Sequence, residues 1–131
     1  MIFLNVATNW KEDEVPNETS DVIIPETTNQ LKITSNEIKY SSLTIQENAT
    51  VTISCDFTNL GKIDNYGTLT INGNSISNNG TIVNAGILNI NGTFTNNSQI
   101  GNYGTIEIGS SENNFSFTNA GTFSNHQNIF I

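Results

Sequence analysis

From residue 50 onward, hydrophobic residues recur in columns that keep the same offsets along the chain. The segments TVTI (50–53), TLTI (68–71), ILNI (87–90), TIEI (105–108) and NIFI (128–131) align, and their last residues lie 18, 19, 18 and 23 positions apart. Four more columns share intervals of 19, 18 and 23, namely Phe57/Ile76/Phe94/Phe117, Ile63/Ile82/Ile100/Phe123, Asn59/Asn78/Asn96/Asn119 and Asn65/Asn84/Asn102/Asn125. A fixed internal repeat is typical of solenoid proteins.

Within one repeat, the columned positions advance alternately by two and by four residues, as in Val51, Ile53, Phe57, Asn59 and Ile63. A step of two keeps side chains on one face of a strand, and a step of four that stays inward requires a bend. Three such sides per coil of 18–19 residues predict an all-β fold, a triangular parallel β-solenoid. Helix is a poor alternative, because β-branched residues, Asn and Gly dominate and 3.6-residue periodicity is missing.

The inward columns predict the interior. Three of them are wholly apolar, and the two Asn columns lie at two of the three corners. At the inter-strand spacing of about 4.7–4.9 Å, stacked carboxamides can hydrogen-bond along the column and to turn backbone. A buried amide without partners would cost about 1–3 kcal/mol, so we expect structural Asn ladders rather than a binding site.

The repeats NYGTLTI, NNGTIVN, NGTFTN, NYGTIEI and NAGTFSN share a cadence that resembles the β-helical repeats of filamentous-haemagglutinin-type adhesins and related surface or fibre proteins. The resemblance covers roughly residues 43–131 and implies a β-helix with a surface or fibre role. The hexads of left-handed acyltransferases are similar, but they place Gly directly after the inward aliphatic residue. Here Gly67, Gly86 and Gly104 come two places after an inward residue, so handedness stays open, with a right-handed solenoid preferred.

The first 30 residues differ from the repeats. Residues 1–47 hold eight acids and three lysines, and both prolines, Pro16 and Pro25, lie in this stretch. Such a composition is typical of an extended, solvated arm. We therefore expect an N-terminal strand and acidic arm over 1–30 and the solenoid domain over 31–131, with residues 31–47 as a cap or incomplete first coil.

The turns of the repeats are expected at the NYG and NAG motifs, because Asn and Gly are residues that tolerate positive φ.

Composition then narrows the function. The net charge is −8, with four lysines and no arginine, which argues against nucleic acid and anionic membrane surfaces as partners. One Cys and one His make a disulfide, a metal centre, a cofactor site and an enzyme all unexpected. No apolar run approaches the roughly 18 residues of a membrane span, and the N-terminus has no secretory-signal pattern.

Two outward surfaces are candidate binding sites. Tyr66, Ala85, Tyr103 and His126 share one corner column, and its exposed aromatic rings suit stacking against glycans. Ser and Thr alternate on another side (Thr58, Ser75, Ser77, Thr93, Thr95, Ser116 and Thr118), as in ice-binding solenoids, although Asp56 interrupts the array. Exposed Thr is also common strand chemistry. Lys62 and Asp64 near Asp56 form the one cluster similar to a polysaccharide-cleaving site, and a solvated surface is the favoured interpretation.

The leading interpretation is a non-enzymatic structural subunit that self-assembles head-to-tail into an extracellular fibre, surface layer or virion-like assembly. Its expected contacts come from the two chain ends, by strand addition and coil stacking: Ile2, Phe3, Leu4, Val6, Ile129, Phe130 and Ile131. An N-terminal strand can pair with the sheet edge of a neighbour. Alternatively, residues 1–30 fold back as a cap on their own solenoid or stay a free tail. An adhesin-like glycan-binding or ice-binding module is the second interpretation.

Overall fold

A computed structural model of the chain describes residues 2–3, 15–26, 31–34, 39–109 and 115–131. Over these residues the fold is all-β, without helix, and winds through about five turns of a β-solenoid. Its strands are β1 (Ile2–Phe3), β2 (Asp21–Ile24), β3 (Leu31–Ile33), β4 (Ser42–Ile45), β5 (Thr50–Ile53), β6 (Phe57–Asn59), β7 (Lys62–Asn65), β8 (Thr68–Asn78), β9 (Thr81–Asn84), β10 (Ile87–Asn96), β11 (Gln99–Asn102), β12 (Thr105–Ile108), β13 (Phe117–Asn119), β14 (Thr122–Asn125) and β15 (Asn128–Phe130).

The solenoid has three sides built from parallel strands. The first side stacks β1, β3, β5, β8, β10, β12 and β15, and the third side stacks β2, β4, β7, β9, β11 and β14. The second side consists of β6, the C-terminal parts of β8 and β10, and β13. Strands β8 and β10 therefore run around the corner between the first two sides, with a register irregularity between Asn91 and Thr93.

The predicted register is confirmed in every repeat column. Pairings join Leu69 to Leu88, Phe94 to Phe117, and Asn84 to Asn102, each in parallel strands one turn apart. The apolar columns form a single continuous core along the axis, and the members on the inner turns are at most 4% exposed. Like residues thus stack on like residues, which is why a short repeat is enough to fill the interior.

The solenoid begins earlier than residue 31, where the sequence places its boundary. Strand β2 pairs in register with β4 on the third side, and its inward side chains Val22 and Ile24 are 4% and 3% exposed. Asp21 and Glu26, which suggested a solvated arm, are exposed. The acidic side chains lie on the outer surface, and Pro25 directly follows β2. The two buried aliphatic side chains of the strand pack against the core and make β2 part of the solenoid.

Strand β1 pairs with β3 of the same chain, through Ile2 with Leu31 and Phe3 with Lys32. It lies at the N-terminal edge of the first side, which corresponds to the alternative in which the N-terminal segment folds back on its own solenoid. Leu4 and Val6, the other expected assembly residues of this segment, lie outside the described residues.

At the corner between the third and first sides, Gly67, Gly86 and Gly104 are needed for close approach and not for positive φ. Among the described residues, positive φ occurs only at Asn48, Gly92 and Gly109. A Cβ at Gly86 would overlap the carbonyl oxygen of Gly67 on the turn below, and one at Gly104 would overlap that of Gly86. Glycine at this corner lets successive turns keep the inter-strand spacing where the backbone bends sharply.

Candidate functional site

Two Asn ladders run through the interior, as the sequence predicts. In the first, Nδ2 of each carboxamide donates to Oδ1 one turn further on, at 2.8, 2.9 and 2.8 Å along Asn59, Asn78, Asn96 and Asn119. The second has distances of 2.7, 2.9 and 2.8 Å along Asn65, Asn84, Asn102 and Asn125. The inner six of these eight side chains are 0–1% exposed. Each ladder therefore satisfies buried amides that would otherwise be costly.

Each rung also ties the ladder to the backbone. The Nδ2 group of Asn84 lies 3.2 Å from the Gly86 carbonyl oxygen of its own corner and 2.9 Å from the Thr105 carbonyl oxygen of the next turn. Asn78 has the equivalent contacts with Gly80 and Gln99. The carboxamides thus supply donors to carbonyl groups at the corners, where the strand ladder is interrupted.

The ladders have a direction, because every bond between carboxamides runs from the earlier turn to the later one. The first rung of each ladder consequently needs a donor for its Oδ1. In the first ladder this donor is the phenol of Tyr40, whose Oη–H donates to Asn59 Oδ1 at 2.7 Å. Tyr40 is 6% exposed, and burial raises the pKa of its phenol. Tyr40 is not among the residues that the repeat columns predict, although its spacing of 19 from Asn59 matches the repeat.

The second ladder starts differently. Ile45 pairs opposite Asn65 on the preceding turn and offers no donor. Asn65 Oδ1 is accordingly a buried oxygen without a hydrogen-bond partner among the described residues. The apolar column below it is continuous with the core, so this ladder ends where the interior changes from amide to aliphatic.

The predicted aromatic corner forms one exposed column. Tyr66, Ala85, Tyr103 and His126 lie between the third and first sides on successive turns, and each backbone N–H from Ala85 onward donates to a carbonyl one turn earlier at 2.7–2.9 Å. Tyr66 and Tyr103 are 53% and 56% exposed. The rings of Tyr103 and His126 stack with centroids 4.7 Å apart and an interplanar angle of 9°. Structure and sequence therefore agree on which side chains share this corner.

The hydroxyl array lies on the second side in the predicted register. Thr58 pairs with Ser77, Ser77 with Thr95, and Thr95 with Thr118. Asp56, which interrupts the array, accepts hydrogen bonds from the backbone N–H groups of Asn74 and Ser75 at 2.8 and 3.0 Å. Its carboxylate therefore joins two turns at a corner, which gives it a structural role.

The acidic cluster considered as a cleavage site is divided between sides. Lys62 and Asp64 form an ion pair of 3.3 Å on the outside of the third side, whereas Asp56 precedes the second side. Cys55 is a half-buried free thiol at a corner, and its pKa is raised by burial and by the neighbouring Asp56 charge. Within the described ranges, no three His, Cys, Asp or Glu side chains are grouped so as to hold a metal ion.

The two ends of the stack differ in how their core side chains are covered. At the N-terminal end, Val22, Ile24, Leu31 and Ile33 are all at most 4% exposed. On the last turn, Phe117, Phe123 and Ile129 are only partly buried, and Phe130 and Ile131 are 57% and 66% exposed. Asn119 and Asn125 are also exposed, and each donates to a carbonyl of its own corner. Of the predicted assembly residues, Ile2 and Phe3 in β1 and Ile129 and Phe130 in β15 lie at opposite edges of the first side.

Comparison with protein-family models, curated proteins and solved structures finds no match for this chain. The geometry of the chain shows a parallel β-solenoid with Asn ladders. In the part of the chain that the structure describes, no helix has the length and apolar character of a membrane span.

Replacing Asn84 by Leu should interrupt the second ladder, because Asn102 Oδ1 loses the Asn84 donor and keeps only the Gly104 N–H at 3.2 Å, and Asn65 Nδ2 loses an acceptor. We expect Asn84→Leu to lower the free energy of unfolding by about 1–3 kcal/mol in chemical denaturation. The control is Asn89→Leu on the outer face, where Asn89 Nδ2 is 3.4 Å from Thr70 Oγ1. That change should stay within about 0.5 kcal/mol. Equal losses for the two variants would contradict the assigned register.

Tyr40→Phe should leave Asn59 Oδ1 buried without a donor, at a cost of about 1–3 kcal/mol in the free energy of unfolding, whereas Tyr66→Phe should be nearly neutral because Tyr66 is exposed.

The raised pKa of Tyr40 also predicts a pH dependence, because folded Tyr40 keeps its proton after the unfolded phenol ionises near pH 10. Stability from this group is complete below that pH and declines above it. Chemical denaturation between pH 8 and 11 should show that the free energy of unfolding falls less steeply with pH in Tyr40→Phe than in the unmodified protein. The same pH profile in both proteins would exclude Tyr40 as a source of the fall.

Proposed function

We propose that this chain is a non-enzymatic structural subunit whose solenoid stacks head-to-tail on further copies. The observation that carries the proposal is the uncovered surface of the last turn. Among the described residues, strands β13, β14 and β15 each pair on one side only, and the side chains of Phe117, Phe123 and Ile129 remain partly exposed. Their counterparts one turn earlier, Phe94, Ile100 and Ile106, are 0–2% exposed.

The chemistry of this surface favours another coil as its partner. Unpaired strand edges accept a strand of matching register, and proteins usually cover or blunt such edges. Asn119 and Asn125 each donate one N–H to a carbonyl of their own corner and keep a second N–H, which on the inner turns is donated to the amide oxygen of the following turn. A flat apolar protein surface would leave these second N–H groups unpaired, whereas a turn that carries acceptors at the two ladder positions would pair them.

The N-terminal strand offers a second contact for assembly. Strand β1 forms only a two-residue pairing with β3 of its own chain. The same pairing with β3 of a neighbour would exchange an identical strand between copies, which is a low-cost route to association. Strand exchange and coil stacking together would give a fibre, a surface layer or a virion-like assembly. The similarity of the repeat cadence to filamentous-haemagglutinin-type adhesins supports an extracellular or cell-surface setting for it.

Charging the last turn tests the stacking. In Asn119→Asp combined with Asn125→Asp, each new carboxylate still accepts from Asn96 or Asn102, so the subunit should fold. Stacking would bury two unpaired anions, which costs several kcal/mol per ion, so oligomers should be lost. We expect concentration-dependent species in sedimentation velocity and filaments or layers in negative-stain images for the unmodified protein only.

The matched control places the same two charges on lateral corners. Asn72→Asp combined with Asn79→Asp alters two exposed carboxamides whose oxygens accept from Asn91 and Asn97. This variant should assemble as the unmodified protein does. An unmodified protein that sediments as a monomer at every concentration would contradict the proposal.

A glycan-binding or ice-binding module is the second candidate, favoured by the exposed aromatic corner and by the hydroxyl side. Glycan-array binding that depends on Tyr66 and Tyr103 would support an adhesin-like role. Ice shaping that is abolished by Thr93→Tyr with Thr95→Tyr would support the ice-binding role, because Thr93 and Thr95 form the complete Thr-x-Thr of that side. Blank results in both assays are expected if the protein is purely structural.

A further inference from the structure

The aromatic corner contains one gap whose surroundings are unusually apolar. On the turn of β9 and β10, the three outward residues around the corner are Val83, Ala85 and Ile87, and Ile87 is 46% exposed. The equivalent positions one turn before and one turn after hold more polar or aromatic residues, namely Asp64, Tyr66 and Thr68 before and Gly101, Tyr103 and Thr105 after. An apolar strip therefore crosses the corner on the turn between Tyr66 and Tyr103, where no ring is present.

The gap has the height of a single ring. Tyr66 and Tyr103 are two turns apart, which corresponds to about 9.6 Å at the usual strand spacing. Tyr103 and His126, one turn apart, show how rings on successive turns pack, with centroids at 4.7 Å and nearly parallel planes. A ring held at the level of Ala85 would lie at about this distance from both tyrosines, within the range of favourable aromatic pairs.

We propose that this slot, with Tyr66 and Tyr103 as its walls and Val83, Ala85 and Ile87 as its floor, binds one aromatic side chain of a partner polypeptide. The floor selects the chemistry of the ring. A ring seated between the tyrosines turns an edge toward three apolar side chains. The C–H groups at the edge of an aromatic ring give up no hydrogen bonds to water when they are buried there. A pyranose carries hydroxyl groups around its edge, and burying them without hydrogen-bond partners is costly.

The open outer edge selects the source of the ring. The slot covers two faces and one edge, so a free small compound would leave much of its surface in water, whereas ligand pockets bury most of it. A side chain delivered by a chain passing along the corner needs only its ring covered, and tyrosine and tryptophan are the usual anchors of this kind. The net charge of −8 favours a basic partner. This inference is independent of the stacking proposal, which concerns the last turn.

Nuclear magnetic resonance tests the slot on the full chain carrying Asn119→Asp and Asn125→Asp, two changes on the last turn that prevent the proposed stacking and leave the aromatic corner unchanged. The probes are a short lysine-rich peptide with one central tryptophan and the same peptide with leucine in its place. The tryptophan peptide should cause saturable shifts of the Ala85 methyl and upfield shifts of the Tyr66 and Tyr103 ring protons. Tyr103→Ser or Tyr66→Ser, each removing one wall, should weaken binding by up to about tenfold. Equal shifts with the leucine peptide would overturn the proposal.

The sharpest variant is Ala85→Tyr, because it fills the slot from within. Tyr66 and Tyr103 occupy the equivalent corner positions, so the backbone should accept the change, and the new ring should stack on both. We expect loss of peptide binding together with a Tm at least as high as that of the unmodified protein. Thr93→Tyr, which adds an exposed ring on the second side, is the control and should bind the peptide normally.

Three further outcomes would overturn the proposal. The first is peptide binding that survives Ala85→Tyr. The second is a response of Ala85 to cellohexaose and not to the tryptophan peptide, which would assign the slot to a glycan. The third is a concentration-dependent shift of Ala85 in the protein alone, which would assign it to a second copy of this chain.

Discussion

Parallel, in-register stacking at one strand spacing per turn is the constraint on which the rest of this structure depends. Because each residue lies directly above its counterpart in the preceding turn, any side chain placed in the interior must pack against a copy of its own type or a close equivalent. Aliphatic and aromatic residues meet this requirement by filling volume, as along Leu69, Leu88 and Ile106. Asparagine meets it by hydrogen bonding to itself, since a carboxamide carries both a donor and an acceptor.

The same constraint gives the interior a direction. Carboxamides that all point one way form a chain with an unsatisfied oxygen at one end and free donors at the other. In the first ladder, the phenol of Tyr40 donates a hydrogen bond to the oxygen of Asn59. In the second ladder, Asn65 Oδ1 lies next to Ile45 of the preceding turn and has no donor among the described residues. The donors emerge on the last turn at Asn119 and Asn125. The ends of the stack are therefore chemically different, and the proposed head-to-tail association would join these unlike ends.

On the outside, stacking turns each corner into a column with its own chemistry. Amide pairs lie at two corners, with Asn91 donating to Asn72 and Asn97 donating to Asn79. The third corner carries aromatic rings, with glycines beside them that let the turns approach closely. A residue that breaks a column, such as Ala85, changes the surface over the height of one turn. In a solenoid, a binding slot can therefore arise from one small residue in a column of large ones.

Sequence alone determined the all-β class, the three-sided coil, the inward columns and both Asn ladders. With in-register stacking, residues that contact each other on successive turns recur at a fixed spacing along the chain, so the repeat reveals the contacts. It also identified the residues of the aromatic corner. The sequence was not sufficient where the repeat stops, or where a feature depends on the distance between two atoms on different turns. Val22 and Ile24 lie outside the 18–19-residue spacing, in an acidic segment, so only their burial against the core placed β2 in the solenoid. The direction of the ladders, the capping phenol of Tyr40, and the glycines required for close approach depend on distances between turns, and only the tertiary structure decided them.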